Sequence, residues 1–394
     1  MLYLRLRRFA FRFCYWKYIV ARLQLRSVGG CASDRGEEPI MKQASFASLC
    51  AMLAILTACG GRNTDLGPLP QAVFNTSTSQ SDLAAFSTLR IREFPIPGPS
   101  AVLSNIVSGP DGNFWFGIGS NGDSKIGRIT PTGRVTEYPT TAYDAHGLIV
   151  GPDRNLWFIG GACFPLHCVP AGIGRITPSG KVTFFATSQC SFIQGLTVGP
   201  NDNLWFQFVQ ARRDGTLCVP PASASLREMT IAGKIDASFD EPNLCCRFDQ
   251  VASPTAYGPD RNLWLANYDS VVRVTARGAT RSFQVSNGSV FGMLTVPGDD
   301  SSLWFAENAG IGKITMLGGV TQYSDPNAPN DIAAGPGGVW FTNNFSNAIG
   351  RITSTGTITE FAVPKSISPV GITEGPRGSL WFTDGAFKIG TFTP

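Results

Sequence analysis

The chain has 394 residues, 43% of them apolar and 15% charged, with Lys+Arg 32 against Asp+Glu 28 and a formal net charge of +4. This composition supplies a large buried core and is too polar throughout for a multispanning membrane protein. Residues 1–58 hold nine Lys/Arg and three Asp/Glu, so without them the net charge becomes −2 and no nucleic-acid footprint survives.

The chain opens with a basic stretch, residues 1–40, that has no clear period and reads as an upstream extension from a misassigned start codon or as a basic leader. Met41-Lys42, an apolar run from Ala44 to Thr57, and Leu56-Thr57-Ala58-Cys59-Gly60 then follow. This resembles a bacterial lipoprotein signal over 41–58, with Cys59 lipidated as the mature N-terminus. The run is too short to span a bilayer as a helix; a plain cleavable signal or a short anchor are the alternatives. The expected location is the periplasm or cell surface, with membrane contact through the lipid only. Residues 59–88, rich in Ser, Thr, Asn, Gln and Gly, read as a flexible tether.

Seven tryptophans, Trp115, Trp157, Trp205, Trp264, Trp304, Trp340 and Trp381, recur roughly every 40 residues from 89 to 394. In the second unit the sequence runs Gly151-Pro152-Asp153-Arg154-Asn155-Leu156-Trp157-Phe158, then Ile173-Gly174-Arg175-Ile176-Thr177, then Gly180-Lys181-Val182-Thr183-Phe184. Short β-branched and aromatic runs bounded by Gly, Pro and Asp predict four strands per unit. Here those strands are Gly147 to Val150, one around Leu156-Trp157-Phe158, Ile173 to Thr177, and Val182 to Phe185. Gly-Pro-Asp-Gly at 109–112 and Thr177-Pro178-Ser179-Gly180 have the residues of tight reversals. Asp111, Asp153, Asp202 and Asp260 repeat with the Gly-Pro signal and read as turn residues.

Repeated four-stranded units predict an all-β, seven-bladed propeller with the tryptophans packed in its core. The last unit stops where its fourth strand is due, whereas Leu89-Arg90-Ile91-Arg92-Glu93-Phe94-Pro95 resembles a fourth strand without its predecessors. The N-terminal strand is therefore expected to complete the last blade, closing a monomeric ring without open edges. Two units carry insertions, Gly160 to Pro170 and Val209 to Ser225, where specificity or mere surface padding are equally natural.

Six cysteines follow Cys59: Cys163, Cys168, Cys190, Cys218, Cys245 and Cys246. In an exported domain without a CxxC pair this even count favours disulfides over metal. Cys163 and Cys168 are expected to close a small loop around Pro165 and His167. The pairing of the other four stays open.

The repeat Gly-Pro-Asp-Gly-Asn-Phe-Trp-Phe at 109–116, with Ile126-Gly127-Arg128-Ile129-Thr130 and Val135-Thr136-Glu137-Tyr138, resembles the streptogramin B lyase (virginiamycin B lyase-like) family of seven-bladed propellers. The resemblance covers residues 89–394. It implies linearisation of a cyclic depsipeptide by elimination at its ester, with a histidine base and a Mg²⁺ ion at the channel mouth. Such elimination needs a base for the proton α to a carbonyl and an electrophile for the developing charge. In the family the histidine opens a blade's first strand, and one metal-binding carboxylate stands fourteen residues later at the end of the second.

His146, in Asp144-Ala145-His146-Gly147-Leu148, matches the histidine position, and Asp144 stands where a carboxylate could help bind metal. The fourteenth residue on is Gly160, so the pair is incomplete. Glu307 and Asp384 end second strands in other units and could join Asp144 in a Mg²⁺ or Ca²⁺ site across the channel, or could simply be solvated carboxylates. Ser104, Gln194, Ser253 and Asn330 occupy the equivalent first-strand openings and can hydrogen-bond a ligand, but none is a base near neutral pH. The fold alone does not decide between enzyme and binder. The sequence favours a binding or scaffold module for a small molecule, peptide, glycan or envelope protein. A Mg²⁺-dependent lyase centred on His146 or a metal-dependent lactonase-like hydrolase is the alternative, and a purely structural His146 the plainest.

Overall fold

The computed structural model describes residues 89–98, 102–119, 124–142, 144–161, 163–164, 167–168, 171–188, 191–210, 224–240, 255–267, 269–285, 290–295, 301–325, 327–343 and 346–394. Cys59, Cys190, Cys218, Cys245, Cys246 and Ser253 lie outside them, as do the expected leader, signal and tether.

Seven four-stranded antiparallel sheets form the seven blades of a propeller. Blade 2 shows the plan: His146–Val150, Leu156–Gly160, Ala171–Ile176 and Val182–Ser188, running from inner to outer strand. Blade 7 consists of Pro369–Glu374, Leu380–Asp384 and Lys388–Phe392, with Arg92–Pro95 as its outer strand. Arg92 pairs antiparallel with Thr391 and Pro95 with Lys388, so the two ends of the ring lie in one sheet.

Antiparallel alternation gives the ring two unlike faces. Turns joining the first to the second strand and the third to the fourth lie on one face, the base. The hairpins between second and third strands and the links between blades lie on the other, the mouth.

The tryptophans are spent on the ring itself. Trp115, Trp157, Trp264 and Trp340 have no exposed surface. Each of the seven repeat tryptophans stacks on the outer-strand aromatic of its own blade, Tyr138, Phe185, Phe239, Phe283, Tyr323, Phe361 or Phe94, at centroid distances of 5.4–6.0 Å. The turn aspartates have a part in this. Asp111, Asp153 and Asp260 accept the indole N–H of Trp115, Trp157 and Trp264 at 2.9–3.0 Å. Burial alone would raise the carboxyls of Asp111 and Asp153, yet the tryptophan and asparagine donors bring them below their ordinary value.

Neighbouring blades meet on those aromatics. In six seams the base turn of the next blade lays a glycine on the outer ring: Gly133 on Phe94, Gly180 on Tyr138, Gly233 on Phe185, Gly278 on Phe239, Gly318 on Phe283 and Gly356 on Tyr323. Two requirements coincide at Gly180. Its φ is +93°, and a Cβ there would stand 2.1 Å from Tyr138 Cε1. Arginines reinforce the same seams: Arg128, Arg175 and Arg273 lie over their blade's tryptophan and donate to Pro178, Ile231 and Met316 carbonyls of the next blade. The seventh seam has no turn to offer, because blade 7 takes its outer strand from the N-terminus. There Leu89 and Ile91 pack into the cluster holding Trp340 and Phe361.

A second belt clasps the inner strands near the mouth, where they bulge between Leu103 and Ile106, His146 and Ile149, Gln194 and Thr197, and Pro369 and Ile372. Asn105 of blade 1 both accepts from Leu148 N–H and donates to Leu148 C=O in blade 2, each at 2.9 Å. The equivalent residue of blade 6, Asp331, can only accept when ionised, and takes the N–H groups of Ile332 and of Ile372 in blade 7. Although the residue as a whole is only partly buried, enclosure of the carboxylate pushes its pKa up to about 6 against the pull of those two donors.

The glycine seam predicts unequal costs for the same substitution. Gly112→Ala, at φ +73° with nothing within 4 Å of the new Cβ, should lose about 1–2 kcal/mol from backbone strain. Gly180→Ala should lose a further ~1–3 kcal/mol from overpacking against Tyr138. Equal losses in denaturant melts would remove the steric part of the argument.

Asp331 predicts a pH effect of known sign. Its folded pKa lies above the unfolded one, so the native state holds a proton between about pH 4 and 6 that the unfolded chain has released. Stability from this residue is therefore full below pH 4, falls as pH rises to about 6, and stays lowered above. Relative to Asp331→Asn, the wild type should lose about 2–3 kcal/mol between pH 4 and 7; a pH-independent difference contradicts the assignment.

Candidate functional site

The mouth gathers the openings of the inner strands and the ends of the second strands, which the register sets side by side: His146 faces Ile159, Val290 faces Glu307, and Pro369 faces Asp384. His146 is the one sequence-predicted base among these positions. It is held from below by an unusual backbone step, Asp144 at φ 53° followed by Gly147 at φ 61°. Aspartate tolerates that region better than most residues.

Blade 1 makes room for this step. A Cβ at Gly117 would stand 2.2 Å from the Ala145 carbonyl, and one at Gly119 would meet Asp144 Oδ1 at 3.1 Å. Ala145 is buried, with its N–H donated to Ser124 Oγ at 3.3 Å. The result is a histidine ring in a set orientation, its side chain 20% exposed. Nδ1 lies 2.7 Å from the Asp144 carbonyl oxygen. A carbonyl only accepts, so Nδ1 carries a proton, and in the neutral ring Nε2 presents its lone pair. The Asp144 carboxylate, half exposed, stands 3.9 Å from Nδ1.

Fourteen residues on, Gly160 is not merely lacking a side chain. A Cβ there would stand 2.4 Å from Ala142 Cβ and 3.0 Å from Phe184 Cε2. The place for the second carboxylate is filled by blade 2's own packing.

The other carboxylates of the expected cation site are not brought to Asp144. Glu307 has no exposed surface, and both its oxygens accept from Gln322 Nε2 at 2.8 Å. Asp384 is likewise buried; Oδ1 accepts from Ser368 and Ala386 N–H at 2.7 and 3.1 Å, while Oδ2 is buried without a partner. Burial raises the Asp384 carboxyl above its ordinary value, opposed by those backbone donors. Among the described residues no three His, Cys, Asp or Glu side chains are grouped to hold a metal ion. Among the described residues the donors beside His146 therefore do not make a three-ligand metal centre.

Two predicted ligand contacts serve the ring. Ser104 Oγ accepts the Gly117 N–H at 3.1 Å across the bulge, and Asn330 Nδ2 donates to the Val370 carbonyl of blade 7 at 3.0 Å. Gln194 lies in the inner strand of blade 3 opposite Gln207. In the first insertion, Cys163–Phe164 and His167–Cys168 form a two-stranded ribbon whose backbone register sets Cys163 opposite Cys168.

Sequence reasoning missed a polar network between blades 5 and 6. Asn343 Nδ2 donates to Asp325 Oδ2 and to Glu360 Oε1, and Asn327 Nδ2 to Glu360 Oε2. The signal was available: the third residue after the tryptophan is Glu307, Asn343 and Asp384 in blades 5, 6 and 7.

Comparison with known proteins agrees with this architecture. The sequence profile of the Virginiamycin B lyase family matches residues 69–219 and 224–394. A solved streptogramin B lyase is 28% identical over 78% of this chain and 98% of its own, with a TM-score of 0.63. The virginiamycin B lyase of Staphylococcus aureus is also 28% identical over 78% of this chain and 99% of its own, at 0.63. A catalytically inactive histidine-to-alanine variant of the Staphylococcus aureus enzyme, solved with quinupristin, gives 27% over 78% and 99%, at 0.61. No curated protein matches the sequence. With the profile spanning most of the chain and the seven blades in place, this chain belongs to the virginiamycin B lyase family.

Proposed function

We propose that the protein is an exported, lipid-anchored propeller that binds a ligand at its mouth through His146 and the inserted loops, without the family's metal-assisted ring opening. One observation carries this reading: the imidazole is fixed with its Nε2 lone pair presented, while the second carboxylate position, Gly160, is packed shut. Nε2 can accept a hydrogen bond from a ligand N–H or O–H. Removing a proton α to a carbonyl also needs stabilisation of the enolate that forms, and among the described residues no three-ligand metal centre stands beside His146 to supply it.

Export and lipidation rest on the signal-like run 41–58 and on Cys59 at its end. The ligand class stays as broad as small molecule, peptide, glycan or envelope protein, and the mouth supports binding rather than scaffolding because a titratable side chain is held there in one orientation.

Quinupristin, the ligand of the Staphylococcus aureus complex, separates binder from lyase. Incubated with the protein and Mg²⁺ and followed by chromatography, it should remain cyclic. Ring opening that requires Mg²⁺ and disappears in His146→Ala would reverse the reading in favour of a lyase. For the anchor, labelled palmitate fed to an expressing bacterium should enter the wild type and be lost in Cys59→Ser; label retained in the variant refutes lipidation at that residue.

A further inference from the structure

The base of the ring, opposite the mouth, carries a charge pattern that ligand binding leaves unexplained. Its third-to-fourth-strand turns end in exposed Arg134, Lys181 and Arg277, and its first-to-second-strand turns expose Arg154, Arg261 and Arg377. None of these six forms an ion pair among the described residues. Lys234, at the corresponding turn of blade 3, is paired with Asp236 at 2.9 Å. The aspartates of the same turns offer little opposition. Asp111, Asp153 and Asp260 are mostly buried under the tryptophans and lie 3.7–3.8 Å from Arg128, Arg175 and Arg273. Exposed Asp202 and Glu374, and Glu228, which is buried and accepts from Asn203, are the remaining acids described towards this face. At the mouth no such row of unpaired cations is described: Lys125 and Lys388 are held by Glu137 and Glu93 at 2.7 and 3.0 Å, Asp144 is half exposed, and Lys365 is the exposed cation left over.

Exposed apolar side chains follow the same division. Leu317 at a base turn is 88% exposed, and Ile231, Ile235 and Val150 are 36–40% exposed at the same end. Among the described residues only Val102, of the large exposed apolar side chains, lies towards the mouth.

The chain also enters from the base. Arg92 pairs with Thr391 and Pro95 with Lys388, so the outer strand of blade 7 runs from base to mouth and Leu89 stands at the base. Residues 59–88 precede it, a length whose flexible reach is on the order of 30 Å. A chain of that length keeps the ring near a bilayer but does not choose which face it turns towards it.

We infer that the base is a docking face for an anionic lipid surface, with the mouth directed away from the membrane. The inference rests on the lipid-anchored reading for its local concentration, while the face itself is defined by the described residues. Basic side chains near an anionic leaflet each contribute about 1 kcal/mol, and scattered apolar tips such as Leu317 can enter the headgroup layer.

The test uses the mature chain, residues 59–394, carrying Cys59→Ser, which removes from the measurement both the lipid and the basic, apolar stretch 1–58. Sedimentation with phosphatidylcholine vesicles is compared with sedimentation with vesicles containing phosphatidylglycerol. Binding should occur only with the anionic vesicles and should weaken as salt shortens the screening length. Replacing Arg134, Lys181 and Arg277 by Glu should cost at least tenfold, since each basic residue is worth roughly fivefold. Lys365→Glu, a single charge reversal at the mouth, should have no effect, whereas the single reversal Arg134→Glu at the base should weaken binding severalfold. Equal binding to both vesicle types, binding to neither, or a salt-insensitive interaction overturns the inference, and none of these depends on the triple variant folding. Failure of palmitate labelling at Cys59 with anionic binding intact would refute the anchor and leave the face standing.

Discussion

The ring depends on one contact made over and over: a buried indole, the aromatic ring stacked on it, and a glycine of the next blade laid against that ring. Each layer makes the next one necessary. Tryptophan fills the blade, its aromatic neighbour presents a flat face outward, and only a residue without Cβ can bring the next turn onto that face. Aromatic pairs of this kind add about 0.5–1.5 kcal/mol beyond the area they bury. Because each seam is shared by two blades, no blade is complete without its neighbour, which is why the array must close or be capped. Closure falls to residues 89–95, whose Leu89 and Ile91 take the place of the missing turn.

A scaffold built this way can hold a strained residue at its mouth. Asp144 at positive φ, the buried Ala145 and the glycines of blade 1 together orient His146. The same belt engages several polar residues at the mouth in the ring itself. Ser104 and Asn330 stand where a ligand contact is natural, yet a bulged inner strand leaves backbone groups unpaired, and the nearest polar side chains satisfy them. Glu307 and Asp384 likewise lie inside blades 5 and 7 rather than in a shared site.

Family membership does not by itself fix the composition of the mouth. The repeat and the seven blades agree with the lyase relatives, while a side chain at Gly160 would meet Ala142 and Phe184. Fold is carried by the seams and chemistry by a few mouth positions, so the second can change while the first persists. The two faces are likewise independent: the base can be basic because its turns need only Thr and Gly at fixed places, leaving neighbouring positions free for Arg and Lys.

Much of this was legible in the sequence for a simple reason. Trp157, Phe158 and Gly180 recur at a fixed spacing, and repetition converts a local pattern into a statement about sheets, blade number and the role of residues 89–95. The absence of a carboxylate at 160 was equally plain. What spacing could not supply was distance between blades. It put Asp144 just before a first strand and Glu307 and Asp384 at the ends of second strands, but whether they meet depends on ring radius and on which side chains are drawn into the interior. It could not show that Asn105 and Asp331 clasp neighbouring strands, that Asn343 joins Asp325 and Glu360, or that Gly160 is walled in. A one-dimensional repeat fixes what each blade contains; contacts across seams, and the burial that shifts Asp331, arise only when the blades are pressed together.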